Sequence, residues 1–149
     1  MASMASSPTQ KIRKGEPFSV RFTLPTDRAV QEEAARTNRS KSAVVEMLTE
    51  EAVRARRFAG IGFRGDDSAR RPWVIGSNLD VWEIVQMYED FGSVERLVAD
   101  THLTERQVQL ALAYRDAYPE EIAQAIAQNR RPVEEWLELY PFVQFSPAA

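Results

Sequence analysis

Between Phe18 and Leu24 the sequence alternates strictly, and this stretch constrains the fold more than any other. Even-numbered residues are apolar, whereas Ser19, Arg21 and Thr23 form a polar row. A period of two predicts a β-strand with one apolar face and one polar face. Pro25 and helical patterns follow directly, so no neighbouring strand is at hand for its backbone groups, which need hydrogen-bond partners. We therefore predict that the strand pairs with the same strand of a second copy, in a homodimer.

Two helices are predicted after this strand. The first spans 26–37, with Thr26 or Thr23 as N-cap, and Asn38 ends it because asparagine tolerates the left-handed conformation. Ser40 caps the second helix, which continues to about Phe58. Its apolar residues recur at helical spacing: Val44, Met47, Leu48 and Ala52.

The segment Val20-Arg-Phe-Thr-Leu-Pro25, followed by Asn38-Arg-Ser-Lys-Ser-Ala-Val-Val45, resembles the ribbon-helix-helix family of bacterial repressors and antitoxins. The resemblance implies that two strands form an antiparallel ribbon in the DNA major groove. Carried over to this chain, it implies base contacts from Ser19, Arg21 and Thr23. The interval to Ser40 is about two residues shorter than in typical members, and a shift of two would favour Ser19 and Arg21 over Thr23.

The same resemblance implies that Ser40, Lys41 and Ser42 contact DNA phosphate at a helix N-terminus. The charge distribution agrees with DNA binding by this half of the chain. The net charge is -3 overall, but residues 1–58 carry a balance of +4 and residues 59–149 a balance of -7.

The composition points away from catalysis. The chain has no cysteine and a single histidine, His102, and no Gly-rich phosphate loop is present. We therefore expect no catalytic residues, no cofactor and no metal ligands, and the protein is not predicted to be an enzyme. No apolar leader or membrane-length run is visible, which together with the absence of cysteine predicts a cytoplasmic protein that does not enter a membrane.

The predicted fold class is mainly α, with an N-terminal ribbon-helix-helix and a C-terminal helical domain. Five segments are expected: a disordered basic arm over 1–17, the ribbon-helix-helix over 18–58, a Gly-rich linker or small hairpin over 59–77, a helical domain over 78–131, and an amphipathic aromatic tail over 132–149.

Helix signals punctuate the C-terminal domain. Asp80-Val-Trp-Glu83 and Thr104-Glu-Arg-Gln107 read as capping boxes, Gly92 ends a helix, Ser93 caps the next, and Pro119 begins another. The helices around the Thr101-His-Leu turn are similar to a helix-turn-helix. Its second helix offers Arg106, Gln107 and Gln109 for base readout, an alternative disfavoured by the acidic charge of this half.

The run from Gly60 to Arg71, with Leu79-Asp-Val-Trp-Glu83 and Leu112-Ala-Tyr114, resembles a helical family of uncharacterised function. Many of its members are VapB-type antitoxin components found beside PIN-like ribonuclease toxins. The resemblance implies a PIN-like toxin as a protein partner. The motifs that carry this resemblance help to identify the family but indicate little about the chemistry of its members.

The tail is rich in large apolar side chains beside glutamates, and such groups must be covered. They pack on the chain's own helical domain or bind a partner as amphipathic anchors. The residues predicted to bind a partner are Trp136, Leu139, Tyr140 and Phe142. Together with the two resemblances, these features predict a homodimeric transcriptional repressor that binds double-stranded DNA and neutralises a PIN-like toxin. The alternative is a stand-alone regulator whose acidic domain mediates oligomerisation or binds another protein.

Overall fold

A computed structural model describes residues 12–130 and residue 138. This part of the chain is mainly helical, as predicted, with one small antiparallel sheet. The helices are α1 (Leu24–Thr37), α2 (Lys41–Arg57), α3 (Val81–Phe91), α4 (Val94–Asp100), α5 (Glu105–Ala117) and α6 (Pro119–Asn129). None of the helices described is both long enough and apolar enough to cross a membrane.

The first two helices begin and end close to the predicted positions. Helix α1 starts at Leu24, so the last residue assigned to the strand belongs to the helix instead, since Pro25 suits a first helical turn. Asn38 ends α1 with φ 52°, the left-handed conformation expected of it. The Ser40 hydroxyl accepts a hydrogen bond from the Ala43 amide at 3.1 Å, which confirms it as the N-cap of α2.

A three-stranded antiparallel sheet follows α2. Strands β1 (Ile61–Arg64) and β2 (Arg71–Val74) form the small hairpin that the sequence allowed. Strand β3 (Leu79–Asp80) pairs with β2 and was not predicted, because two residues are too few for a visible alternation. The strand order is β1-β2-β3, and Val81 continues directly from β3 into α3.

One hydrophobic core joins this sheet to helices α3–α6. Its fully buried members come from nearly every element of that half: Ile61, Val74, Val81, Ile84, Val85, Leu97, Leu103, Val108, Ala111, Tyr114 and Ile122. Helices α1 and α2 pack on each other separately, around Val30 and Val44. The structure described thus contains a substantial C-terminal core and a much smaller N-terminal one.

The C-terminal end of α2 connects the two parts. Phe58 lies against Tyr114 in an edge-to-face arrangement, with the ring centroids 5.3 Å apart, and also contacts Tyr118. Farther from this junction, Arg36 of α1 binds the Asp67 carboxylate in the β1–β2 turn at 3.1 Å. The sequence did not predict this ion pair, which ties the end of α1 to the hairpin.

Asp80 corrects a second sequence prediction. It precedes α3 in the N-cap position, yet its side chain makes no capping hydrogen bond. Its carboxylate is buried, 4% exposed, and is held by Arg64 at 2.8 Å and by Arg71 at 2.7 Å. The predicted capping box therefore lacks the side-chain hydrogen bond of its N-cap residue. Burial, and then repulsion from Asp80, raises the pKa of Glu83. Asp80 does not cap α3 because a buried carboxylate is stabilised more by two arginine partners than by one amide donor.

The second capping box forms completely. The Thr104 hydroxyl accepts from the Gln107 amide at 3.2 Å, and the Gln107 side chain accepts from the Thr104 amide at 3.0 Å. Ser93, Gly92 and Pro119 likewise occupy the cap and first-turn positions assigned to them.

We predict that Asp80→Asn destabilises the fold by about 3 kcal/mol, because two guanidinium groups lose their shared carboxylate. The loss should be at the low end of the range for broken buried pairs, since both arginines retain contact with water. Chemical denaturation monitored by circular dichroism measures it. Asp116→Asn is the matched control, because Asp116 is 70% exposed in its pair with Arg115 and should change stability by less than about 0.5 kcal/mol. Equal losses in the two variants would contradict the role given to Asp80.

Candidate nucleic-acid interface

Residues 12–23 lead into α1 without forming a helix or strand within the described chain. No backbone group of residues 18–22 hydrogen-bonds to another backbone group in that region. Thr23 has extended dihedral angles, φ -60° and ψ 155°. Among the described residues, the backbone donors and acceptors of this alternating segment therefore have no backbone partners, as in a strand before its partner is added.

The apolar row of this segment faces an open groove on α2. Phe18, Val20 and Phe22 line it on one side, and Val45 and Thr49 of α2 line it on the other, around a volume of about 560 Å³. Phe18 is 85% exposed and Val20 56% exposed, so the groove leaves most of their surface in water.

A second apolar groove of about 430 Å³ continues this surface along α1 and α2. It shares Phe22, Val45 and Thr49 with the first groove and adds Leu48, which is 41% exposed, and Val53. We call the residues lining both grooves the open apolar face. Such an extent of exposed apolar surface is characteristic of an interface.

All three residues of the polar row lie on the protein surface. Ser19, Arg21 and Thr23 are all exposed, and Arg21 forms no ion pair with any residue that the structure describes. Thr23 donates a hydrogen bond to the Thr26 hydroxyl at 3.1 Å, so its side chain is directed toward the first turn of α1. Of the three predicted base contacts, Ser19 and Arg21 are therefore the ones with unengaged side chains.

The start of α2 carries the predicted phosphate contacts. Ser40 is engaged as the cap, and Ser42 lines the larger groove beside Lys41. Lys41 forms an ion pair with Asp27 of α1, a partner that the sequence did not suggest. A phosphate at this helix N-terminus would find backbone donors in the first turn and would compete with Asp27 for the lysine.

An ion-pair network at the other end of α2 was missed by the sequence. Arg54 donates to the Glu121 carboxylate at 2.7 Å and to the Tyr114 hydroxyl at 2.8 Å, and it also binds Glu50. Its guanidinium carbon lies 3.9 Å from the centroid of the Tyr118 ring. Burial lowers the pKa of Arg54, but hydrogen bonds to Glu121 and Tyr114 outweigh it and leave the pKa raised. Arg54 is therefore a permanent charge that attaches α2 to α5 and α6.

The helix-turn-helix alternative also presents polar side chains on the protein surface. Arg106 and Gln109 are exposed on α5, whereas Gln107 is occupied by the capping box. The turn before α5 is pinned by a 3.0 Å hydrogen bond between His102 and the Ser77 carbonyl. Two of the three residues offered for base readout are thus accessible, on the acidic half of the chain.

The remaining predicted sites are on residues that the structure leaves undescribed. Trp136, Leu139, Tyr140 and Phe142, predicted to bind a partner, lie outside the described residues. Among the residues described, no group of three or more His, Cys, Asp or Glu side chains could hold a metal ion. The same part of the chain has no buried side-chain nitrogen or oxygen atom without a hydrogen-bond partner.

Comparison with known proteins adds no assignment. No protein-family model matches the chain, and no match is found among curated proteins or solved structures.

The open apolar face was only partly predicted. The sequence grouped Val44, Met47, Leu48 and Ala52 on one helix face, but Val44 is buried against α1 whereas Leu48 and Ala52 lie in the open. The overlooked signal is that apolar side chains occupy more of the α2 circumference than a single packing stripe needs. A helix of this kind has a second surface to cover.

We predict that the free energy of unfolding falls as the pH rises from about 10 to about 12, in part because of Tyr114. Burial raises the pKa of Tyr114 to about 12, above the ordinary value near 10. The folded state therefore holds this proton longer than the unfolded state. The stabilisation is complete below pH 10 and is lost above it, by about 3 kcal/mol in all.

Chemical unfolding of Tyr114→Phe and of the unchanged protein across this pH range measures the difference. Other groups titrate in both proteins, so the slope attributable to Tyr114 is the slope that the variant lacks. Identical slopes would contradict a buried, protonated Tyr114.

Proposed function

We propose that the chain is a homodimeric ribbon-helix-helix repressor that binds double-stranded DNA. We further propose that it is an antitoxin, which neutralises a PIN-like ribonuclease toxin. The observation that carries the proposal is the segment 18–23, which has an apolar row over an open groove and an exposed polar row, and whose residues 18–22 make no backbone hydrogen bond to any other backbone group that the structure describes. The order of this segment, α1, a left-handed Asn38 and a Ser40-capped α2 supports it.

Dimerisation is the first step of the proposal. Pairing two copies of the segment would satisfy the backbone groups of both strands and place each apolar row against the other copy's helices. The open apolar face would then be covered by the same face of the second copy, as a two-fold interface requires. Because Val30 and Val44 form a very small core, α1 and α2 would fold and associate in one event.

DNA contact is the second step. In a paired ribbon the two polar rows lie side by side, which brings two copies of Arg21 together on one surface. Arginine can bind a guanine edge in the major groove through two hydrogen bonds. The N-terminal half has a net positive charge, and pairing two copies doubles that net charge around the ribbon.

Toxin neutralisation is the third step and relies on the C-terminal half. Its charge of -7 suits a basic partner, and a ribonuclease that binds RNA phosphate is basic at its active site. The network around Arg54 supports a rigid link between this half and the DNA-contacting helix α2. A stand-alone regulator has the same DNA surface and lacks only the toxin, so co-purification with the product of the neighbouring reading frame separates the two functions.

We predict that Val20→Glu disrupts the dimer and unfolds α1 and the first turns of α2. A carboxylate in the apolar row loses the burial of valine and would itself be desolvated, which raises the dissociation constant by at least about 100-fold. Sedimentation equilibrium and circular dichroism measure both effects. Ser19→Glu, one position away in the polar row, is the control and should leave the dimer intact. A dimer that persists in Val20→Glu would contradict pairing through this segment.

We predict that Arg21→Ala and Lys41→Ala weaken DNA binding in different ways. Losing Arg21 should cost about 1 to 3 kcal/mol on the chain's own promoter fragment and little on unrelated DNA. Losing Lys41 should weaken binding to all DNA alike and reduce the salt slope by about 1 per contact. Fluorescence anisotropy at several salt concentrations distinguishes the two patterns.

Two further variants serve as controls for this measurement. Asp27→Asn removes the carboxylate that competes for Lys41 and should tighten binding to all sequences. Arg106→Ala, on the helix-turn-helix-like pair, should change nothing. Loss of binding in Arg106→Ala with full binding in Arg21→Ala would move the interface to α5 and overturn the ribbon.

A further inference from the structure

A groove of about 350 Å³ lies between the β1–β2 turn and α6, on the opposite half of the chain from the open apolar face. Its apolar lining comes from Pro72, Trp82, Ile122 and Ala125. Polar side chains of α6, among them Gln128, complete its edge. The groove therefore has the apolar interior and polar rim that suit an amphipathic segment.

The rim of this groove carries excess positive charge. Two arginines, Arg70 and Arg71, line it, against a single acidic residue, Glu121. The carboxylate of Glu121, the acidic residue at the groove, is already bound by Arg54. An acidic segment would therefore be attracted toward the Arg71 side of the groove.

The chain leaves α6 beside the same groove. Asn129 lines it, and the next residue, Arg130, is held by an ion pair with Asp90 at 2.6 Å. Residues 131–149 continue from this point. Trp136 is the sixth residue after Arg130, and six extended residues span at most about 20 Å, so the aromatic side chain can reach the groove from where the helix ends.

The composition of residues 132–145 matches what the groove offers. Three glutamates stand among its large apolar residues, and two of them, Glu134 and Glu135, immediately precede Trp136. An aromatic side chain supplies the largest apolar area for a site of this size. The adjacent glutamates would then lie near the cationic rim.

We infer that this groove binds residues 132–145 of the same chain, with Trp136 against Trp82 and Ala125 and a glutamate toward Arg71. The inference goes beyond the proposed function and does not depend on DNA binding. It changes the role expected of the tail, because the side chains assigned to a partner are then covered in the free protein. A partner that binds Trp136 must displace it from the groove.

Photo-crosslinking tests this directly, because the chain has no cysteine and accepts a single labelled one. In the full-length protein, Gln128→Cys at the groove and Ala127→Cys as control each carry a benzophenone maleimide. Residue 127 is exposed and is not among the residues that line the groove, yet it is only one position farther from the tail in sequence. Mass spectrometry of mixed light and heavy protein separates links within a chain from links between chains.

We expect Gln128→Cys to link to residues 132–145 of its own chain at a several-fold higher yield than Ala127→Cys. Comparable yields from the two positions, or links mainly to a second copy, would overturn the inference. Proteolysis provides a second readout that does not depend on the label. Ala125→Arg should speed chymotrypsin cleavage of the tail by at least about ten-fold, as loss of one buried aromatic implies, whereas Ala127→Arg should not.

Thermal unfolding of the two arginine variants shows whether the domain itself remains folded. If Ala125→Arg and Ala127→Arg leave the cleavage rate equally unchanged, the tail does not occupy the groove. Failure here leaves the DNA contacts of Arg21 and Lys41 untouched, so the two proposals stand or fall separately.

Discussion

Helix α2 is the element on which the rest of the structure depends, because it takes part in two packing arrangements at once. Its first turns contact α1 through Val44 and leave Val45 and Leu48 facing an open groove. Its last turn places Arg54 and Phe58 among the tyrosines of α5 and its junction with α6. A single helix therefore connects the surface proposed for DNA and dimer contact to the C-terminal core.

The two ends of α2 differ in how completely they are covered. At one end the Arg54 side chain is 16% exposed, and its guanidinium is held by Tyr114, Glu121 and Glu50. At the other end, apolar surface and backbone groups remain in water. In the proposed dimer, association would supply the free energy that stabilises the N-terminal part, whereas the C-terminal part has its own core.

Arginine–carboxylate pairs give the C-terminal half its local specificity. Asp80 holds two neighbouring strands together through Arg64 and Arg71 at the point where the sheet gives way to α3. The guanidinium of Arg64 also lies 4.7 Å from the Trp73 ring centroid, so one side chain covers the sheet and neutralises the buried charge. The same arrangement places Arg71 at the rim of the α6 groove. A structural ion pair and a candidate docking surface therefore have a common origin.

The sequence by itself determined the elements whose signals are local. Asn38, Ser40, Gly92, Ser93, Thr104 and Pro119 mark helix ends through their own backbone and side-chain chemistry, and each occupies its predicted position. The alternation at 18–23 likewise revealed an amphipathic segment before any partner was considered. These features depend on neighbours a few residues away, and periodicity reads them directly.

Tertiary structure alone decided which of several equivalent partners each polar group took. Asp80 looked like a helix cap, and only the proximity of β1 and β2 made it an acceptor for two arginines. Lys41 looked free for phosphate until the packing of α1 against α2 placed Asp27 beside it. Arg54 and Glu121 are 67 residues apart, and nothing in their spacing suggests a pair. Contacts across such separations depend on how helices and strands pack, which a local pattern does not encode.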